Sequence, residues 1–471
     1  METDHTGTVA TDDRDLIQAG YKPQLHRTIG SFASFAIPYS FMSILMGVYA
    51  NYSYVLNKAG PFGFWTWPIV AIGQLLVAFV FAEMASRFPL TGSLYNWNSR
   101  LSNPTVGWFV GWTLAFAYAI SGPGVILILF PPLQTLLGIQ FSPATISIIG
   151  VGVILLQLLI NIYGVRLAAY INRLAVVFEI IALVGFGMVL ALILLFKGGA
   201  HPQLLTTIPH SNISYLLPFL MSTLLAAFTI FGFESASDLS EETVRVKHIA
   251  PRSIIYAVIA SAVLGFLFIV VLTLAIPNLA DITAVADPIS TIFSYYLGTI
   301  PIKIFIVSVL IAVFATALLN ITLASRLLFA IARDKRFIAS SFFEKVSARR
   351  VPANAAVVIA IVEILVFVFL SGLSALYAAP VVLLLLAYLV TVINFVRNSD
   401  ALPPSTTFSL GRWRKPIAWA AIIWLIAEVL ILTVPKEFNL AAFIAIGIIA
   451  IGVVQYLVQY ALNIRPEKSA A

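Results

Sequence analysis

The amino-acid sequence predicts an all-α membrane protein with twelve transmembrane helices, and three observations carry that prediction. Only 10% of the residues are charged and 61% are hydrophobic, against roughly 25% charged in an average soluble protein. The mean hydropathy is +1.00, with repeated apolar runs near the roughly 20 residues that cross a bilayer as a helix. The lysines and arginines, finally, fall almost entirely in alternate connections. Soluble and disordered classes are both excluded, because each needs far more charge to stay solvated.

In lipid every backbone polar group must bond internally, so each apolar run is expected to be a helix. The N-terminal tail, 1–29, is polar, with Asp12, Asp13 and Asp15 around Arg14, and lacks the basic-then-apolar-then-small pattern of a cleavable leader. The first span, 30–56, contains Pro38, Ser40, Ser43 and Gly47. Proline removes a donor and serines bond locally, so this helix is expected to be broken. The second, 62–86, ends with Glu83 four residues before Arg87, the spacing of a helical ion pair or gate. Spans three to five occupy 107–137, 143–164 and 170–196, the fifth carrying Asn172 and, seven residues later, Glu179.

The sixth, 213–237, reads Phe228-Thr229-Ile230-Phe231-Gly232-Phe233-Glu234-Ser235, a helix-weakening glycine beside a glutamate. Asp238, Glu241 and Glu242 close it on the cytoplasmic side, where Arg245 and Lys247 could complete a gate network or the whole could be a solvated loop. Spans seven to twelve are 251–276, 299–332, 355–371 (with Glu363), 374–396, 415–434 (with Glu428) and 440–462, followed by a tail, 463–471. With both termini in the cytoplasm, 23 of the 27 basic residues lie inside, leaving Lys58, Lys197, Lys303 and Lys436 outside. That separation fits the positive-inside rule and assigns the net charge of +7 to topology, not to nucleic-acid binding. Arg333, Lys335, Arg336, Arg349 and Arg350 could also attract anionic headgroups.

If spans one to five form one repeat (30–196) and spans six to ten its inverted partner (213–396), the two broken helices correspond. Amides freed at a half-helix N-terminus suit a carboxylate, and freed carbonyls suit an ammonium group. The competing reading of the first span is a packed proline kink. Five glutamates fall within spans: Glu83, Glu179, Glu234, Glu363 and Glu428. An intramembrane carboxylate is costly and marks a functional site by default. Glu179 and Glu234 belong to the inferred core and are the favoured proton carriers; helix–helix hydrogen bonding is the competing reading for Glu179 and the favoured one for Glu363 and Glu428.

At these residues the chain resembles the amino acid–polyamine–organocation transporter family. The stretch Phe231 to Thr243 is similar to that family's sixth helix and following loop, and Pro251-Arg252 to the start of its seventh. Ala82-Glu83-Met84-Ala85-Ser86-Arg87-Phe88-Pro89 with Thr91-Gly92-Ser93 resembles the second-helix exit. Ala324-Ser325-Arg326, Ala332-Arg333-Asp334 and Val351-Pro352-Ala353-Asn354-Ala355 resemble the eighth-helix end and the approach to the ninth. The resemblance implies a LeuT-type five-plus-five inverted-repeat core with two additional C-terminal helices (415–462), and secondary transport of an amino acid or related amine.

It further implies that Ser40, Phe41, Met42 and Ser43 meet the substrate carboxylate. The carbonyls of Phe228 and Phe231, beside Gly232, would meet its ammonium group, with the Phe228 ring over the site and Tyr118 and Ser121 as wall residues. Ordinary packing competes for any one aromatic in a chain with 34 phenylalanines. Two departures stand out. The first helix lacks the family's Gly-Ser-Gly run and looks closer to the amino acid/choline branch. The fifth lacks the lysine of several proton-coupled members, leaving Glu179 as the candidate substitute.

Other classes fit less well. The chain has no cysteine, which excludes disulfides, thiolate metal sites and cysteine nucleophiles. His5, His26, His201, His210 and His248 fall in tails or loops without a zinc-protease pattern, and there is no nucleophile elbow or Walker loop. No cofactor, metal or enzymatic activity is therefore expected. The expected activity is alternating-access permease function as proton-coupled symport, in the cell membrane, by a monomer or homodimer. An exchanger, or a choline, GABA or polyamine carrier, is the alternative. A channel or a non-transporting amino-acid sensor is the alternative from another class, and sodium the alternative coupling ion. The short tails suggest a bacterial or archaeal membrane.

Overall fold

The fold is known from a computed structural model that describes residues 5–208, 215–285, 287–370, 375–405 and 407–461. The expected span edges at 213–214, 371, 374 and 462, His210 and the tail 463–471 lie outside the described residues. Among the described residues there is no strand; a single parallel bridge joins Ile29 to Thr243.

In chain order the helices are α1 (His5–Gln18), α2 (Ser31–Met42), α3 (Ile44–Ala59), α4 (Thr66–Arg87), α5 (Ser93–Leu101), α6 (Pro104–Leu127), α7 (Phe130–Leu137), α8 (Pro143–Tyr163) and α9 (Val165–Lys197). The second half comprises α10 (Leu216–Met221), α11 (Leu224–Ala227), α12 (Ser235–Asp238), α13 (Val246–Leu274), α14 (Leu279–Ala284), α15 (Pro288–Leu297) and α16 (Thr299–Arg333). The chain then runs through α17 (Ser340–Phe343), α18 (Ala353–Leu370), α19 (Ala375–Arg397), α20 (Arg414–Ile431) and α21 (Asn439–Ala461).

Ten helical stretches among the described residues are long and apolar enough to cross a membrane. The other two expected spans are helical but different in kind. The sixth is short and interrupted, with Leu216–Ala227 as its apolar part. The eleventh is the 18-residue α20, which carries Arg414, Lys415 and Glu428.

Several helices start on the same local chemistry. Asn103 accepts from Val106 N at 2.9 Å, Ser142 from Thr145 N at 3.1 Å and Asp287 from Ser290 N at 3.0 Å. Each is followed by a proline in the first turn, where its missing N–H costs nothing and a polar side chain satisfies an orphan amide.

The stretches differ in what they bury. In Pro104–Leu137 and Ser31–Ala59, 83% and 78% of the apolar window is buried; in Pro143–Tyr163 and Lys436–Ala461 the share is 22%. The outer helices expose Leu155, Leu159, Phe443 and Ile446, side chains that lipid solvates and water does not. Small residues let the inner helices approach closely: the Trp67 indole of α4 lies over Gly265 of α13 and donates to Ala262 O at 2.9 Å. Of the two peripheral glutamates, Glu428 accepts from Gln74 at 2.8 Å and joins α20 to α4. Glu363 departs from the expectation. Neither of its oxygens has a hydrogen-bond partner among the described residues, and its carboxyl packs against Gly122 of α6.

The N-terminal tail is structured as well. Arg27 bonds Asp13 at 2.7 Å and the carbonyls of Ser240 and Thr243 at 3.1 and 3.0 Å. Asp12 accepts from Arg245 N at 2.6 Å, and Lys247 pairs with Asp15 at 2.8 Å. The tail thus lies across the basic end of the bundle, against the loop that follows α12.

Candidate functional site

The first span breaks at Ser43, which separates α2 from α3 with φ 25° and ψ 97°, a conformation non-glycine residues rarely adopt. Pro38 does not make the break. It sits inside α2, which continues for four more residues, as prolines do where neighbouring helices satisfy the freed groups. Ser43 caps α3 through a bond from Met46 N at 3.4 Å.

Both serines of this segment face α9. Ser40 Oγ donates to Asn172 Oδ1 at 3.0 Å, and Ser43 Oγ donates to Glu179 Oε1 at 3.0 Å. Asn172 and Glu179 are seven positions apart, about two helical turns, so both side chains lie on one face of α9. Leu45 N also donates to Glu179 Oε1, at 3.1 Å. The open N-terminus of α3, with its orphan amides and positive dipole end, is therefore already filled by a carboxylate of the chain itself. Thr316 of α16 donates to Ser40 O at 2.6 Å and fixes the same turn.

The sixth span unwinds between α11 and α12. None of the backbone hydrogen bonds among the described residues ends on the carbonyls of Phe228, Thr229, Ile230 or Phe231. Gly232 has φ 79°, and a side chain there would run into the Phe41 ring. Its amide donates to the Tyr388 hydroxyl at 2.8 Å. The two broken segments meet directly: Phe41 contacts Phe231 and Tyr118 edge-on, at centroid distances of 5.5 and 5.4 Å. Gly47 gives a second close approach, its missing side chain leaving room for Thr229. The Phe228 ring lies 6.0 Å from both Phe231 and Tyr377.

Two carboxyls follow the break. Glu234 accepts from Tyr118 at 2.7 Å and also bonds Tyr388. Asp238 contacts the same Tyr118 hydroxyl at 2.9 Å and accepts from Ser93 at 2.5 Å. One phenol carries one proton, so Tyr118 can donate to only one of the two carboxyls. For both contacts to be hydrogen bonds, the other carboxyl must itself hold a proton and donate. No lysine or arginine pairs with Glu179, Glu234 or Asp238 among the described residues.

Two ion pairs lie beyond the site, where Glu241 and Glu242 follow α12. Arg333 grips Glu241 bidentately at 2.8 and 2.9 Å, and Arg326 Nε bonds Glu242 at 3.1 Å. Glu241 also accepts from Thr91 N at 3.2 Å, and Glu242 O accepts from Thr28 N and Ile29 N at 2.8 and 2.9 Å. Burial raises the Glu242 carboxyl above the ordinary glutamate range, with the Arg326 charge opposing. The partners of Glu242 and Glu241 are thus Arg326 and Arg333, whereas Arg245 and Lys247 bind the N-terminal tail.

Ser40, Phe41, Ser43, Tyr118, Phe231, Gly232 and Glu234 converge, directly or through α9. Met42 and Ser121 are buried without a hydrogen bond to the cluster among the described residues. Glu83 and Arg87 are elsewhere. Glu83 accepts from Arg87 at 2.5 Å and from Arg414 at 2.6 Å, tying α4 to the start of α20. Tyr388 and Thr316 carry no signal in the sequence, each being a single polar residue in an apolar run, and Ser93 stands out only as part of the Thr91-Gly92-Ser93 motif, not as a partner of Asp238.

Comparison with known proteins adds the lineage. A family model described as "Amino acid permease" matches residues 29–456. Amino-acid permease BAT1 of Arabidopsis thaliana is 25% identical, over 91% of this chain and 89% of its own length. Thiamine transporter thi9 of Schizosaccharomyces pombe is 24% identical, over 94% and 85%. A putative polyamine transporter of Candida albicans is 22% identical, over 97% and 89%.

Proposed function

The chain belongs to the amino acid permease family, and from that premise we propose a proton-coupled secondary carrier of an amino acid or related amine. Twelve spans, two inverted repeats (30–196 and 213–396) and cytoplasmic termini complete the reading. The observation that carries it is the Glu179 carboxylate seated on the N-terminus of α3. That seat suits the carboxylate of a zwitterionic substrate, and two carboxylates cannot share it. Protonation of Glu179 weakens its hold on Leu45 N and Ser43, freeing the half-helix for the substrate. The substrate ammonium group then meets the free carbonyls between Phe228 and Phe231, with Glu234 nearby. Proton and substrate are coupled because the acid must give up the seat before the substrate takes it. Rocking of the helix bundle past the Glu241–Arg333 and Glu242–Arg326 pairs opens the other side.

The same observation supports a second reading, favoured also by the thiamine and polyamine transporters among the relatives. If Glu179 stays in place, it supplies the carboxylate that the substrate lacks, and the cargo is an organic cation. Uptake into liposomes under an imposed proton gradient in sodium-free buffer tests the carrier. Competition between amino acids and their decarboxylated amines separates the two readings. Conductance without saturation would overturn both.

A further inference from the structure

Beside the chain that leads into α2 lies a cavity of about 600 Å³ lined by Arg27, Gly30, Ala33, Arg166, Tyr170 and Arg173. Arg27 is engaged by Asp13 and by backbone carbonyls. Arg166 and Arg173 are exposed and form no ion pair among the described residues. Seven residues apart on α9, they sit two turns from each other on one face. The Arg173 guanidinium lies 5.2 Å from the ring centroid of Tyr170, which also lines the cavity. More positive charge stands behind them. The His26 imidazole is pushed below the ordinary histidine range by desolvation and then by the Arg350 and Arg166 charges.

Uncompensated guanidinium groups around a cavity of this size make a site for a phosphate group, which arginine binds through paired donors. The surface beyond it is apolar. Along the next turns of α9, Leu174, Phe178 and Ile181 are 39%, 51% and 63% exposed. A ligand with a charged head and a hydrocarbon tail fits both parts; a free phosphate uses only the first. We propose that this cavity binds the phosphate headgroup of an anionic lipid, whose acyl chains lie along the Leu174–Phe178–Ile181 face of α9. The assignment rests on the reading that this basic end meets a lipid leaflet, where anionic headgroups collect in basic pockets between helices. An occupant would clamp the start of α2 to α9, next to the Ser40–Asn172 and Ser43–Glu179 contacts.

The test uses the purified full chain in detergent, where sidedness plays no part. Melting temperature is measured with phosphatidylcholine alone, with added phosphatidylglycerol and with inorganic phosphate, and retained lipid is counted by native mass spectrometry. Phosphatidylglycerol is expected to raise the melting temperature and to stay bound. In the Arg166→Gln/Arg173→Gln double variant its affinity should fall roughly tenfold or more. The Arg166→Lys/Arg173→Lys variant, which keeps the charge but loses the paired donors, should lose less affinity than the double glutamine variant, and Arg412→Gln at another basic surface should change nothing. Equal stabilisation of wild type and the double glutamine variant would overturn the site. Equal stabilisation of the wild type by inorganic phosphate would overturn the lipid as its occupant.

Discussion

The backbone amide of Leu45 donates to the Glu179 carboxylate across 3.1 Å, and Ser43 donates to the same oxygen at 3.0 Å. A single acid side chain thereby occupies the N-terminus of the half-helix α3. Glutamine has the same shape and can accept the same two bonds, but it cannot release them by taking up a proton. Glu179→Gln is therefore expected to fold normally and to lose the pH dependence of uptake. In the wild type, initial uptake should rise as the pH on the substrate side falls, because the protonated acid frees the seat. In the variant the profile should be flat and the gradient-driven rate about tenfold lower, the scale of one charge-assisted hydrogen bond. Uptake by Glu179→Gln that follows the wild-type pH profile would remove Glu179 from the coupling step.

The Tyr118 hydroxyl stands between Glu234 and Asp238 at 2.7 and 2.9 Å. Tyr118→Phe keeps the ring against Phe41 but leaves two buried carboxyls facing each other without the bridging group. An unsatisfied buried polar group costs about 1–3 kcal/mol, so the melting temperature should fall by several degrees. Combining Tyr118→Phe with Asp238→Asn, which removes one acid and supplies a donor, should restore part of the loss. An unchanged melting temperature in Tyr118→Phe would show that the bridge carries no load.

These pairings also show what a sequence conveys and what it withholds. The helices are legible because a bilayer leaves the backbone few alternatives, and apolar runs of the right length are countable. The interruption near Gly232 is legible because glycine weakens a helix wherever it stands. Pro38 misleads, since α2 continues past it and the chain breaks five residues later at Ser43. Partner choice is the least legible. Glu241 and Glu242 have Arg245 and Lys247 close by in sequence, yet they bind Arg333 and Arg326 from α16. Local spacing cannot anticipate a contact that the packing of distant helices creates.

In the proposed cycle the buried pair Arg326–Glu242 and the bidentate pair Arg333–Glu241 close the basic end of the site. Removing one partner of a buried pair leaves an uncompensated charge, at a cost of about 3–5 kcal/mol. Arg333→Ala is therefore expected to shift the chain toward the state open at this end. The chain contains no cysteine, so Ser240→Cys gives a clean reporter for maleimide labelling. Its labelling rate should rise roughly a hundredfold in the Arg333→Ala background. Equal rates in both backgrounds would mean that the pair does not hold the gate.

Gly232 has φ 79°, and its missing side chain leaves the space that the Phe41 ring fills. Alanine there adds backbone strain of about 1 kcal/mol to a steric clash at the point where the two broken helices meet. Gly232→Ala should abolish uptake, and the smaller Phe41→Leu ring replacement in the same chain should restore part of it. Gly185→Ala, with open space around it, is the neutral control. Full activity in Gly232→Ala would mean that the two segments need not touch.

Glu363 offers the opposite kind of test, since its removal should help. Its carboxyl is fully buried against Gly122, and neither oxygen has a hydrogen-bond partner among the described residues. Burying a polar group without a partner costs about 1–3 kcal/mol by mutational measures, whereas an apolar side chain of similar length has nothing to desolvate. Glu363→Met should therefore raise the melting temperature by a few degrees and leave substrate affinity unchanged, because α18 contributes no residue to the cluster around Phe41 and Glu234. If the variant instead stops transporting while staying folded, this acid takes part in the cycle, and the unsatisfied carboxyl is retained at a cost in stability for its function.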